Sequence, residues 1–319
     1  MRNKPAQFLW ITILLLSIYS CKEEKMNFEL KDKRELAGIP SASGIEVTNQ
    51  GIFVIGDDSP WLFQINEDLQ ITGKTHLFPN RSFKDSILEK LQKPDLEALT
   101  RANETGNKLY SFGSGSKSPE RDILIEIDLS GNISSREYSL VDFYTQLRAA
   151  AGISPEELNI EAAEIYKDHL YLFNRGRNLI IKYSLTEFSK YLEGGDVPGN
   201  PEIFNIKLPS ISGITAGFSG ASIDPENGKL FFTATVENTD NWIDDGEVLG
   251  SFIGIIDIDD LQNNLKPGNV GILVDEGFLK VKVESIALLP PFQPNSANLI
   301  LVTDSDGGVS ELLRGSLSY

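Results

Sequence analysis

Five residues stand at the same phase of a recurring apolar stretch: Ser43 in SGIEV, Glu97 in DLEALT, Glu161 in NIEAAEI, Ser219 in FSGASI and Glu284 in VESIALL. Brought together, three carboxylates and two hydroxyls would make a hard, oxygen-only donor set. Such carboxylates repel one another more strongly as the local dielectric falls. They must be protonated, paired with bases, or gathered round a cation. The stretches hold no recurring Lys or Arg. They also lack Cys and His, so calcium is the expected occupant rather than zinc. A water-filled, hydrogen-bonded channel is the alternative.

A second set of polar residues follows each stretch. Gly56-Asp57-Asp58, Ser114-Gly115-Ser116-Lys117, Asn174-Arg175-Gly176-Arg177, Glu237-Asn238 and Asp304-Ser305-Asp306 are turn-like segments rich in acids and bases. Asp57 and Asp58 could orient water beside a metal. Lys117, Arg175 and Arg177 could hold a phosphate or carboxylate, with Glu237 as a further substrate contact. Asp, Asn, Ser and Gly are also what turns use for their own sake. Other chemistries are poorly supplied. His76 and His169 are the only histidines and share no metal-ligand spacing. No Gly-x-Ser-x-Gly elbow occurs, and GSGSKS at 113–118 lacks the Gly before Lys117 that a phosphate-binding loop needs.

The elements that must position these residues are strands. After each stretch comes a polar turn and a β-rich run: IFVIG, KLYSFG, LYLFN, KLFFTA and NLILVT. The unit recurs at intervals of 54 to 65 residues. Asn, Asp and Gly fill the turns, as hairpins require. Repeated antiparallel units of three or four strands predict an all-β fold, a β-propeller of five blades rather than six, in one domain over 28–319. If each stretch begins the innermost strand of its blade, the five residues lie at equal heights round the axis. The second strand runs back, which returns the polar loops to the same mouth. Two insertions, 83–92 and 141–151, have helical spacing. The chain after Glu284 is short for a full blade, so 28–36 is expected to supply the outer strand that closes the ring.

With these motifs in order, the chain resembles the calcium-activated nucleotidases, or soluble apyrases. The matching pieces are Ser43-Gly44-Ile45-Glu46, Glu97, Ile160-Glu161-Ala162, Gly217-Phe218-Ser219-Gly220 and Glu284-Ser285-Ile286. The resemblance implies a five-bladed propeller with an axial calcium held by Ser43, Glu97, Glu161, Ser219 and Glu284. It also implies catalytic roles for Asp57 and Asp58, and a small phosphorylated molecule as substrate. Ser59-Pro60 replaces an Arg-Thr of the apyrase loop, and Val236 stands where that family has a Lys. Phytase-like propellers share the Glu-small strand starts more distantly. A calcium-dependent phosphohydrolase and a non-enzymatic, calcium-stabilised propeller binding an envelope glycan or protein are therefore both expected readings.

The first 20 residues read as a lipoprotein signal. Arg2 and Lys4 precede the apolar run at 8–18, which is shorter than the ~20 residues a membrane span needs. Ile18-Tyr19-Ser20-Cys21 resembles a lipobox, with lipidation expected on Cys21, the only cysteine in the chain. Residues 21–27 form a tether. Lys22-Glu23-Glu24 resembles the export tag of surface lipoproteins in some Gram-negative bacteria. The expected location is the cell envelope, lipid-anchored at the outer membrane, with the surface as one option. The formal charge is −17, and −19 once Arg2 and Lys4 are removed with the signal. So acidic a chain repels nucleic acid and anionic lipid at long range, and a monomer with no nucleic-acid partner is expected.

Overall fold

The computed structural model describes residues 26–78, 88, 93–239, 246–261, the backbone of 269–272, 281–304 and 309–319. The strands come in groups of four. Blade one is β2 (Ala42–Thr48), β3 (Gly51–Gly56), β4 (Trp61–Ile65) and β5 (Ile71–His76); blade two is β6 (Leu96–Arg101), β7 (Lys108–Gly113), β8 (Ile123–Asp128) and β9 (Ser134–Ser139). Blade three is β10 (Ile160–Tyr166), β11 (His169–Asn174), β12 (Leu179–Ser184) and β13 (Glu202–Asn205). A short ribbon, β14 (Ser210–Ile211) with β15 (Ile214–Thr215), leads into blade four. That blade is β16 (Gly217–Ile223), β17 (Lys229–Asn238), β18 (Glu247–Asp257) and β19 (Asn269–Ile272).

Blade five is made from both ends of the described chain. It contains β20 (Lys282–Gln293), β21 (Ser296–Asp304) and β22 (Glu311–Ser318), and its outer strand is β1 (Asn27–Glu35), antiparallel to β22. The expected closure by 28–36 is what the fold shows. The inner strands β2, β6, β10, β16 and β20 contact one another in a ring, with β20 returning to β2. The molecule is a five-bladed propeller.

Five apolar clusters hold it together, one in each seam between neighbouring blades. Ile52, Val54 and Phe63 of blade one meet Ala287, Ile300 and Val302 of blade five, while Phe53, Ile55 and Leu62 meet Leu96, Leu99 and Leu109 of blade two. The remaining seams follow the same rule, with Phe173, Phe218 and Phe232 joining blades three and four. Each second strand is thus covered on both faces. That is why IFVIG and LYLFN read as continuous apolar runs, not as the alternation of a half-exposed sheet.

Each inner strand carries one β-bulge near its start. The register slips between Ala42 and Gly44, Leu96 and Ala98, Ile160 and Ala162, Phe218 and Gly220, and Val283 and Ser285. The residue passed over in each case is Ser43, Glu97, Glu161, Ser219 or Glu284. A bulge leaves its extra residue out of the ladder and re-aims its side chain. The next residue is always small, because neighbouring inner strands pass close by. A Cβ on Gly44 would lie 3.1 Å from the Leu99 Cβ of the next inner strand, and one on Gly220 would lie 2.6 Å from the Ser285 Cα.

The insertion at 141–151 is helix α1 (Val141–Ala151), with Phe143, Tyr144 and Leu147 packed into the seam of blades two and three. It ends at Gly152, in the left-handed conformation with φ 62°. The other expected helix, 83–92, falls outside the described residues apart from Leu88. A helix with no sequence expectation behind it, α2 (Leu185–Leu192), follows β12 and is capped by the Ser184 hydroxyl, which accepts from the Glu187 N–H at 3.4 Å. Without β1, the β22 edge would be left open with the ring unclosed. A chain starting at residue 37 should melt well below the full fold and self-associate, as read by thermal denaturation and sedimentation.

Candidate functional site

The bulges bring the three glutamates into one charged centre at the end of the channel where the inner strands begin, called the mouth below. Glu161 and Glu284 are buried, and Glu97 is partly open to the channel. Burial holds the Glu97 carboxyl well above the usual carboxylate range, helped by Asp95, Glu161, Asp57 and Glu284. Burial pushes Glu161 up to about 8, against the pull of Arg175 and with added repulsion from Glu284 and Glu237. Glu284 is raised as well, chiefly by burial, with Lys282 opposing.

The recurring stretches carry no repeated base, yet bases reach the centre from just outside them. Lys282, two residues before Glu284, lies 3.0 Å from Glu284 and 3.1 Å from Glu237. Arg175, from the loop after β11, bonds Glu237 and lies 3.6 Å from Glu161. Its stem lies across Gly217 at the start of β16. Asn159 adds a hydrogen bond to Glu161 at 2.6 Å. Lys93, four residues before Glu97, sits 2.5 Å from Asp57, 3.2 Å from Asp58 and 3.0 Å from Asp95. Arg121 holds the other oxygen of Asp95 at 2.5 Å, and Ser114 donates to the same oxygen.

Within the expected ring, Ser43 donates its hydroxyl to the Leu96 carbonyl at 2.5 Å, and Ser219 donates to Thr233 at 3.1 Å. Asp57, Asp95 and Glu97 form a close carboxylate group, with oxygens within 4.8 Å of one another. Asp57 Oδ1 is buried and lacks a hydrogen-bond partner among the described residues. Glu97 makes no hydrogen bond or ion pair to any described residue. Hard oxygens with unsatisfied acceptors fit a calcium-class ion. Lys93 already serves three acids there, so it is an internal cation that such an ion would share the mouth with or displace. Asp95 went unassigned in the sequence, although it stands two residues before Glu97 in the same motif.

The loop residues divide. Asp57, Asp58, Arg175 and Glu237 join the central network, and Asp57 is pushed up to about 6 by burial, with Lys93 opposing. Lys117 and Arg177 do not join it: each is about half exposed beside a local acid, Glu120 and Glu157 respectively. Ser305 and Asp306 lie outside the described residues, as does Cys21. Among the described residues, seven acids (Asp57, Asp58, Asp95, Glu97, Glu161, Glu237, Glu284) face four bases (Lys93, Arg121, Arg175, Lys282). The mouth is therefore rich in carboxyl groups, and burial favours the protonated form of Glu97 and Glu161.

The opposite end of the channel holds a second acidic pair that the sequence reading did not assign. Glu46 lies 3.4 Å from the Arg101 guanidinium and accepts the Arg101 and Val47 N–H groups. Glu164 is buried nearby, held well above the carboxylate range by burial and by Glu46.

A protein family described as a family of unknown function (DUF6929) matches residues 38–317. No curated protein matches the sequence. Among solved structures, the chain is similar to Myxococcus xanthus glutaminyl cyclase, 12% identical over 92% of this chain and 97% of that one, with a TM-score of 0.53. It is also similar to the PQQ-bound aldose sugar dehydrogenase of Streptomyces coelicolor, 12% identical over 92% of this chain and 99% of that one, at a TM-score of 0.45. At 12% identity the likeness to the glutaminyl cyclase is one of fold.

Arg175→Ala removes the guanidinium from Glu161 and leaves Glu237 with Lys282 alone, and breaking such a buried pair costs about 3–5 kcal/mol. Denaturant unfolding should show that loss, with part of it recovered when Glu237→Gln is added. In metal-free protein the folded state keeps protons on Glu161 to about pH 8 and on Asp57 to about pH 6, whereas their ordinary values are 4.5 and 3.8. The folded form then binds more protons than the unfolded one, so stability falls as pH rises from about 4 to 8. Melting in chelator should give a lower midpoint at pH 8.5 than at pH 5.5, and Glu161→Gln should flatten the difference.

Proposed function

The chain belongs to the DUF6929 family, whose function is unknown, and from its own site we propose that it is a lipid-anchored, extracytoplasmic propeller that binds calcium at its mouth and acts as a binding module. The observation that carries this reading is the meeting of Asp57, Asp95 and Glu97, with Asp57 Oδ1 buried and unbonded and Glu97 unpaired among the described residues. A calcium ion there would supply the positive charge that the network lacks. Outside the cytoplasm the ion is abundant enough to act structurally, which agrees with the signal and lipobox ending at Cys21.

A calcium-dependent phosphohydrolase is the second reading. Asp57 and Asp58 favour it, because both acids stand beside the same cation position. What weighs against it is the state of the bases. Arg175 is buried between Glu161 and Glu237, so a phosphate could take it only by breaking those pairs. Lys93 is held by three aspartates, and Lys117 and Arg177 stand apart at the surface. A carboxyl-rich mouth with its bases already neutralised is a poor phosphate clamp. An envelope glycan or protein segment, held beside the ion through neutral or positive groups, suits it better.

Calcium at about 100 times its dissociation constant should stabilise the fold by roughly 2.7 kcal/mol, or about 4–5 °C in midpoint for a domain this large. Glu97→Gln should remove most of that shift, while Glu46→Gln, at the far end of the channel, should leave it. Equal melting in calcium and chelator would sink the calcium reading. Steady phosphate release from a panel of nucleotides and phosphoesters, lost in Asp57→Asn, would favour the hydrolase over the binding module.

A further inference from the structure

The strand that closes the ring also fixes how an anchored molecule must stand. In blade five, Lys282 and Glu284 mark the mouth, and Lys282 pairs with Asp304 of β21. Thr303 pairs with Glu311 of β22, and Glu311 pairs with Glu35 of β1, so Glu35 is at mouth level. At the other end, Gln293 pairs with Ser296, Ser296 with Ser318, and Ser318 with Asn27. Asn27 therefore lies at the face opposite the mouth. Met26 packs against the seam of blades four and five, which pins the chain at that face.

Distances decide the orientation. Five chain steps separate Met26 from Cys21, and fully extended they reach at most about 18 Å. From Asn27 up to Glu35 the strand climbs about 26 Å at ~3.3 Å per residue. A lipid on Cys21 cannot reach a bilayer lying across the mouth, because the tether is shorter than the blade it would have to climb.

We propose that the anchored protein stands with the face opposite the mouth toward the membrane, so that the acidic mouth opens to the bulk phase and takes its ligand from solution. This rests on the acylation of Cys21 proposed above. The turns on the membrane-facing side include Asn49, Gln50, Glu104, Asp168 and Glu226, which are polar and suit a surface held beside the bilayer without entering it. The partner surface is then the mouth with its rim, and the ligand class is a divalent cation together with a soluble polar or cationic group.

Because Cys21 is the only native cysteine, an introduced thiol is the only free one in the acylated protein. Glu104 lies in the exposed turn between β6 and β7, on the far face, and Glu120 lies in the loop between β7 and β8, at the mouth. Full-length Glu104→Cys and Glu120→Cys, lipidated in a bacterial host, are labelled with a donor dye. They are then bound to phosphatidylcholine vesicles carrying a headgroup acceptor. Energy transfer should be at least twofold greater from position 104 than from position 120. Equal transfer, or greater transfer from position 120, overturns the orientation. Peptide mass spectrometry reads the anchor separately: an N-terminal peptide without acyl mass, from protein that stays off the vesicles, overturns the anchoring itself.

Discussion

Like charges forced together at the ring centre are the constraint round which the rest of the molecule is arranged. Five bulges take one residue each out of the ladder, and in three blades that residue is a glutamate. A carboxylate deprived of water is costly unless it gains a proton, a base or a metal. The fold uses the first two openly. Glu161 and Glu97 keep their protons far longer than a free glutamate would, and Arg175 and Lys282 bridge the acids between blades. Each bridge crosses a seam: Arg175 belongs to blade three and its partner Glu237 to blade four, while Lys282 reaches Glu237 from blade five.

Those bridges act where the apolar seams are narrowest. A propeller blade is wide at its rim and thin at its axis, so bulky apolar packing gives way inward to small residues and polar contacts. The small residue after every bulge lets the inner strands approach, and hydroxyls complete the contact. Thr235 of blade four donates to the Val283 carbonyl of blade five at 2.9 Å, and Ile45 of blade one donates to the Ser285 hydroxyl at 3.3 Å. The Ser or Glu followed by Gly, Ala or Ser is thus two requirements in one motif. The first residue faces the axis, and the second makes room for the neighbouring blade.

Much of this was legible in the sequence because it repeats. The phase of Ser43, Glu97, Glu161, Ser219 and Glu284 gave the blade count, and the short tail after Glu284 gave the closing strand. Helix α1 was legible from its apolar spacing, whereas α2 was hidden by its brevity and by following a strand without a break. The charge pairing was the illegible part. Lys93, Arg121 and Lys282 occur at no common phase, so no periodicity marks them, and each finds its acid only through the fold. Asp95 was hidden differently: it precedes the repeated residue in one blade alone, where a search for common positions passes over it.

Arg175 shows why motif and function separate here. Read along the chain, an arginine in a mouth loop is a phosphate ligand in waiting. In the fold it is the base that makes buried Glu161 and Glu237 tolerable, and its stem is laid against Gly217. A guanidinium spent on two carboxylates has little attraction left for a third anion, since taking it would strip Glu161 of its guanidinium and leave Glu237 with Lys282 alone. Glu97 stands in the opposite position. It feels Asp95, Glu161, Asp57 and Glu284 and has no base bonded to it. The imbalance left by pairing the others is concentrated on that one carboxyl, beside the unbonded Oδ1 of Asp57. A mouth built this way attracts positive charge and discourages phosphate, and it does so because its own arginine is already committed to holding the blades together.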